Sequence, residues 1–217
     1  MKSPKEFGQM WLFLNKRTYK RFHNIIIPSP NGTTQIDHLI VSPFGIFIIE
    51  TKNKKGWIFG SENRAKWTQS IYGNSHSFQN PLKQTYRQKK ILAGFLQIEG
   101  TAIQTVIYFA GDCRFKTQLP ENVIRSRLSR YIKQFKKQTL TSGKVDQIVR
   151  TLEQHVSESE LTKRDHIRSL RQRHQSKIIC PKCGSELVER TAKKGPNAGR
   201  RFLGCENFPR CRFTKSV

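Results

Sequence analysis

Acidic side chains are scarce in this chain. Fifteen Asp and Glu stand against 40 Lys and Arg among 217 residues, a formal charge of +25. Such an excess opposes compaction by self-repulsion and favours a polyanionic partner. Nucleic acid is the leading expectation. An anionic membrane surface is the competitor, but no amphipathic basic helix stands out to serve it. Long apolar runs are also missing: nothing reaches the ~20 apolar residues of a transmembrane helix. The start of the chain, 1–7, lacks the apolar stretch of a secretory signal. A soluble, cytoplasmic protein with no membrane partner is expected. Cysteine is sparse and odd in number, with five in all and four in the last 38 residues. That speaks against a disulfide framework and leaves Cys113 as a lone buried or semi-buried thiol without function. No internal repeat is present.

The most informative segment is a pair of β-branched and aromatic arms, 35–41 and 46–52, joined by Ser42-Pro43-Phe44-Gly45. Pro-Phe-Gly is turn chemistry, so a β-hairpin is expected. Residues two apart on a strand share a face, which puts Glu50 and Lys52 together. A turn symmetric about Pro43 and Phe44 pairs 42 with 45 and carries Asp37 opposite Glu50. Opposed residues have Cβ atoms roughly 4.5–5.5 Å apart. Two acids that close repel unless a cation lies between them, and Mg²⁺ is held by one or two carboxylates. Two alternatives stay open. Lys52 could form a plain salt bridge with Glu50 or Asp37. A bulge at Gly45 could slip the register by one, facing Asp37 with Thr51 and breaking the cluster.

Ser3-Pro4-Lys5-Glu6 has the form of a capping box before a short helix with apolar positions at Phe7, Met10, Trp11 and Leu14. Strands are expected at 25–27, in the hairpin, at 56–60 and 65–68 near the sheet edge, and at 102–110. Asn80-Pro81 opens a helix to about Ile98, with Leu82, Tyr86, Leu92, Phe95 and Leu96 as buried candidates. Further helices are expected at 121–136 and 143–156, the second burying Val145, Ile148, Val149, Leu152 and Val156. Segment 157–176 is polar and charged, a linker or solvated helical extension. The expected domains are therefore 1–156 and 177–217, joined by 157–176. Hairpin strands apolar on both faces imply a sheet covered by helices on each side, in an α/β layered core.

Cys180, Cys183, Cys205 and Cys211 form two close pairs separated by a 21-residue insert. Twice-paired cysteines with short spacers fit a tetrahedral structural Zn²⁺ site, and no open ligand position for catalysis accompanies them. Two disulfides are the alternative. A module of ~40 residues has too small a core to fold alone, so zinc would determine its fold. Ten Lys and Arg oppose three acids in 177–217. Phe202, Phe208 and Phe213 interleave with Arg200, Arg201, Arg210 and Arg212. Cations beside aromatics suit single-stranded nucleic acid, which needs phosphate neutralisation and base stacking. At least one phenylalanine is expected in the module's core instead.

Two resemblances attach to these residues. Segment 180–213, from Cys-Pro-Lys-Cys-Gly to Cys-Glu-Asn-Phe-Pro-Arg-Cys-Arg-Phe, resembles the four-cysteine zinc ribbon of bacterial type IA topoisomerases. This implies DNA binding, often to single strands, without implying topoisomerase activity. Segment 5–110 resembles a nuclease-related domain (NERD). The matching residues include Gln35-Ile36-Asp37-His38, Ile49-Glu50-Thr51-Lys52, Gly56 to Gly60, Trp67 and Asn80-Pro81-Leu82-Lys83-Gln84. The family is considered similar to the restriction-endonuclease-like PD-(D/E)xK fold: a mixed α/β sheet flanked by helices, here followed by the ribbon. By resemblance Asp37 and Glu50 are metal-binding acids, Lys52 the catalytic lysine and Gln84 an accessory polar residue. A solvated first-turn glutamine is the other reading of Gln84. The family's first helix often carries Gly-Glu where this chain has Gly8-Gln9, so a third acid is missing. Gln35 lies on the site face with Asp37, and His38 is expected on the opposite face in a structural role.

The implied function is a Mg²⁺- or Mn²⁺-dependent DNA phosphodiesterase, a nuclease. Asp37, Glu50 and the backbone carbonyl of Thr51 would hold the metal. Arg200, Arg201, Phe202, Phe208, Arg210 and Arg212 of the tethered ribbon would bind single-stranded or branched DNA. The alternative, motivated by Gln9, is a non-catalytic nucleic-acid-binding adaptor with an inactive nuclease fold. RNA is a third candidate substrate.

Overall fold

The computed structural model describes residues 13–29, 32–176, 178–181 and 185–216, without the side chains of residues 173 and 174. The first helix, its capping box, Gly8-Gln9 and Cys183 lie outside the described residues.

The hairpin forms as expected. β2 (Gly32–Ser42) and β3 (Gly45–Lys52) pair antiparallel, with Ser42 opposite Gly45 and His38 opposite Ile49. No bulge shifts the register. Gly45 adopts φ +126°, and an added Cβ would lie 3.0 Å from the Ala102 carbonyl oxygen, so glycine ends the turn for both reasons. β1 (Lys20–Ser29) pairs with the outer edge of β2. β7 (Ile103–Phe109) runs parallel to β3 on its other side, and β9 (Val123–Ile124) is parallel to β7. The resulting sheet has the order β1-β2-β3-β7-β9.

Helices cover both faces, as the two-sided apolar pattern requires. On one face α1 (Pro81–Leu96) and α3 (Ser142–Glu158) close a core that includes Ile27, Ile36, Ile48, Leu92 and Ile148. On the other, Leu14, Tyr19 and α2 (Leu128–Ile132) pack on Ile40, Phe47, Ile49 and Val106. In α3, Val145, Ile148 and Leu152 are buried as expected, while Val156 is 56% exposed. In α1, Leu92 and Leu96 are buried, but Tyr86 is exposed. Thr85 and Gln88 occupy the buried stripe instead.

Three expectations are corrected. Segments 56–60 and 65–68 are not edge strands of the main sheet. Both edges of β3 are already taken, so β4 (Gly56–Phe59) and β5 (Lys66–Ile71) join β6 (Asn74–Gln79) and β8 (Cys113–Phe115) in a second sheet, ordered β6-β5-β4-β8. Its inner face meets the end of β7, where the Trp67 ring stacks on Phe109 at 6.2 Å and 5°. Gly60 lies against that indole so closely that a Cβ would come within 2.4 Å of it. The continuous helix expected at 121–136 is instead β9 followed by the short α2, because parallel pairing on β7 and burial of Val123 override local propensity. Finally, 157–176 is not solvated throughout. α4 (Lys163–Gln175) starts at a Thr162–Asp165 capping box and docks on β2. There the Thr33 N–H donates to Ser169 Oγ at 2.8 Å, and Thr33 Oγ1 lies 2.9 Å from His166 Nδ1.

The last sheet is C-terminal to α4. β10 (Leu187–Thr191), β11 (Arg201–Cys205) and β12 (Thr214–Ser216) form an antiparallel ribbon. Lys215 Nζ donates to the carbonyls of Gln175 and Ser176 at 3.4 and 3.3 Å, joining the ribbon to the end of the helix. Among the described residues, no helix is long and apolar enough to cross a membrane.

Asn80 joins the second sheet to α1. It is fully buried, its Oδ1 accepts from the Leu82 N–H, and its Nδ2 lies within 3.1 Å of the Ser61, Glu62 and Arg64 carbonyl oxygens. Asn80→Ala removes a helix cap and leaves three part-buried carbonyls without their donor, so urea denaturation should show a loss of about 1–3 kcal/mol. An unchanged midpoint and slope would contradict that role.

Candidate functional site

The site lies where β2, β3 and α1 meet. One step beyond the last ladder pair, His38 with Ile49, the same register sets Asp37 across from Glu50. The β1–β2 ladder skips at this point. It passes from His23–His38 to Ile25–Ile36, with Asn24 at φ +54° between them. His38 turns away from the acids, and its Nδ1 lies 2.7 Å from His23 Nδ1. Burial is the main cause that pushes the His38 pKa down to about 4.

Glu50 is 3% exposed, so its oxygens need partners. Lys52 Nζ donates to Oε1 at 2.6 Å and also to Gln84 Oε1 at 3.0 Å. Gln88 Nε2 donates to Oε2 at 3.0 Å and to the Gln35 carbonyl at 2.9 Å. Gln84 and Gln88 stand one turn apart on α1, so both reach the same end of β3. The first-turn Gln84 is thus engaged with Lys52, and Gln35 contributes its carbonyl. Asp37 Oδ2 accepts from the Thr51 N–H at 3.2 Å. Among the described residues, Asp37 Oδ1 has no hydrogen-bond donor. Burial, then the charge of Glu50, raises the Asp37 pKa from 3.8 to about 6, although the Thr51 N–H and Lys52 act in the opposite direction.

Gln88 is the residue that reasoning from sequence passed over. Its signal was the i, i+4 spacing from Gln84 on a helix whose buried stripe carries few apolar residues. Gln88 Oε1 is buried beside the carboxylates with no hydrogen-bond partner among the described residues. Two acids, one of them with a raised pKa, and an unsatisfied amide oxygen form an all-oxygen donor set. That is the chemistry a hard divalent cation takes.

In the ribbon, the sulfurs of Cys180, Cys205 and Cys211 lie within 4.8 Å of one another, and those of Cys180 and Cys211 are 3.7 Å apart. A disulfide needs about 2.05 Å. A tetrahedral site with Zn–S bonds of about 2.3 Å has edges of about 3.8 Å. The geometry supports structural Zn²⁺. Cys183, the expected fourth ligand, lies outside the described residues. Cys113 is a buried free thiol, as expected.

Phe213 is the phenylalanine that packs on the cysteine core. It also lines a groove of about 480 Å³, together with Phe202, Phe208, Arg190, Lys193 and Arg212. Arg190 was not anticipated; its guanidinium lies 5.8 Å from the Phe208 ring centre. Arg201 is engaged with Glu189 at 2.8 Å, and Arg200 is exposed. Arg210 and Arg212 line a separate cleft of about 670 Å³, whose other wall includes Lys83 and Tyr86 of α1.

The comparisons with known proteins divide the chain in the same way. Residues 5–110 match the model of the nuclease-related domain. Residues 177–217 match the topoisomerase DNA binding C4 zinc finger, and the chain carries both modules. It is similar to an uncharacterized protein of Bacillus anthracis, 42% identical over 85 residues, 39% of this chain and 40% of that protein. DNA topoisomerase 1 of Archaeoglobus fulgidus is 57% identical over 42 residues, 18% of this chain and 6% of that enzyme. Uncharacterized protein YrdD of Escherichia coli is 50% identical over 38 residues, 18% of each chain. The match thus spans less than half the length of each relative. No solved structure matches.

Two outcomes are expected. Asp37 carries a raised pKa in the fold, so its charged form is disfavoured there. Without divalent metal, its contribution to stability falls as pH rises from about 4 to about 6. Asp37→Asn should flatten that part of the urea-stability profile, and an unaltered pH slope would contradict the assigned burial. For the ribbon, elemental analysis should find zinc bound to the wild type and little in Cys205→Ser.

Proposed function

We propose that the chain is a divalent-metal-dependent DNA phosphodiesterase whose C-terminal ribbon binds the same nucleic acid. The observation that supports the reading best is the pairing of half-buried Asp37 with buried Glu50, with Lys52 lodged between Glu50 and Gln84. Asp37 and Glu50, with the backbone carbonyl of Thr51, would hold Mg²⁺ or Mn²⁺. Bound there, the cation supplies Lewis-acid polarisation of the scissile phosphate and a more acidic water. Gln88 fixes the Glu50 carboxylate from one side, and Lys52 engages it from the other. The Lys52 ammonium, oriented by Gln84, stabilises negative charge growing on the phosphate or orients the attacking water. The Thr51 N–H holds the Asp37 carboxylate in place. Residues 1–156 form the catalytic unit in this reading, and 177–217 the DNA-holding one. The cationic, aromatic groove of Phe202, Phe208 and Arg212 suits single-stranded or branched DNA. Arg200, Arg201 and Arg210 add positive charge around it.

A second reading is a non-catalytic nucleic-acid-binding adaptor. What favours it is that Lys52 and Gln88 already occupy both oxygens of Glu50, as a purely structural ion pair would have them.

Labelled single-stranded, duplex and forked DNA incubated with Mg²⁺ or Mn²⁺ separates the two. Metal-dependent cutting is expected in the wild type, falling about a hundredfold or more in Asp37→Ala and Lys52→Ala. DNA binding should persist in both variants. Salt-dependent binding with no cutting of any substrate would establish the adaptor. Cutting that survives Asp37→Ala would remove the site.

A further inference from the structure

The second sheet has an open face that neither the phosphodiesterase site nor the ribbon uses. Its inner positions, Ile58, Trp67, Gln69 and Cys113, are buried. The outer positions alternate with them. Trp57 pairs with Ser70 on β5 and with Arg114 on β8, and Ser70 pairs with Ser75 on β6. This row crosses all four strands, about 14 Å at three strand spacings. Trp57 is 50% exposed, unusual for so large an apolar ring. Lys116 Nζ lies 4.4 Å from the centre of that ring. Lys66, Arg114 and Lys116 are all exposed, and β4, β5, β6 and β8 contain no acidic residue. Ser70, Ser75, Ser77 and Thr68 supply hydroxyls to this face, and Phe59 and Gln79 complete it.

A half-exposed indole ringed by cations and small hydroxyls fits a polyanion with stackable flat groups. Phosphate alone would account for the lysines and arginine but not the tryptophan. Duplex DNA keeps its base faces stacked inside the helix, whereas a single strand can present them. An exposed ammonium over an aromatic ring is held less strongly than a stacked base. An incoming base can therefore displace Lys116, whose charge then meets phosphate. We infer that the outer face of β6-β5-β4-β8 binds single-stranded nucleic acid, stacking a base on Trp57 and holding phosphates with Lys66, Arg114 and Lys116. This rests on the nucleic-acid partner in the proposed function but needs no catalysis.

The test uses the full zinc-loaded chain carrying Asp37→Ala, without Mg²⁺, so that binding is read apart from cutting. Fluorescence anisotropy is recorded with labelled oligothymidylate, oligouridylate and a duplex. Trp57→Ala should weaken single-strand binding about tenfold, the loss of one stacked base, while Trp57→Phe stays near wild type. Arg114→Glu with Lys116→Glu should lower the slope of log Kd against log salt by about 0.7 per lost phosphate contact. Photo-crosslinking with an iodouracil-containing strand should label Trp57. Adducts confined to 177–217, unchanged binding by Trp57→Ala, or an equal loss on duplex overturns the inference. The two oligonucleotides show whether the sugar matters, and loss on either supports the surface. If the wild type cuts nothing yet these losses appear, only the catalytic reading falls. If it cuts and binding does not move, only this surface falls.

Discussion

A carboxylate buried to the extent of Glu50 determines how the surrounding elements are arranged. A charge removed from water must be neutralised and hydrogen-bonded nearby. Lys52 neutralises it from two residues along the same strand. From α1, Gln88 reaches it directly and Gln84 accepts from Lys52, so the helix must start close to the open end of the hairpin. Asn80 fixes that start and ties it to the loop at 61–64. The sheet, the helix and the second sheet thus meet around one acid. The cost falls on Asp37, which is left beside a second negative charge with one backbone N–H bound to it.

The acid pair and the lysine were legible because a short turn and a strand period of two fix the register almost without outside help. The pairing of Ser42 with Gly45 removes the bulge, while the other alternative, a Lys52 salt bridge with Glu50, is present at 2.6 Å. The clustering of Cys180, Cys205 and Cys211 was legible for a similar reason, since paired-ligand spacing is local. What could not be read depends on partners distant in sequence. Nothing in 56–68 states that β3 is already paired on both edges, so the second sheet could not be foreseen. Val123 and Ile124 become a strand only because β7 lies beside them.

Polar packing was the other blind spot. Apolar periodicity marked α3 well, although Val156 lies outside the core. It says little about α4, where Ser169 and His166 meet Thr33 through hydrogen bonds. It also misled at Tyr86, which looked like a core position yet faces the cleft shared with Arg210. Gln88 and Thr85 fill the stripe where leucines would be sought. Buried polar groups of this kind give few signals in composition, because their partners decide whether they are inside.

The docking of α4 changes what the ribbon can do. A module on a slack cord raises concentration near a site but fixes no distance. Here the chain leaves a helix seated on β2, and Lys215 of the ribbon bonds the carbonyls at that helix's end. Arg210 and Arg212 of the ribbon then share a cleft with Lys83 and Tyr86, and Lys83 is the chain neighbour of Gln84. The ribbon's charge therefore has a fixed address beside the acid pair instead of a radius around it.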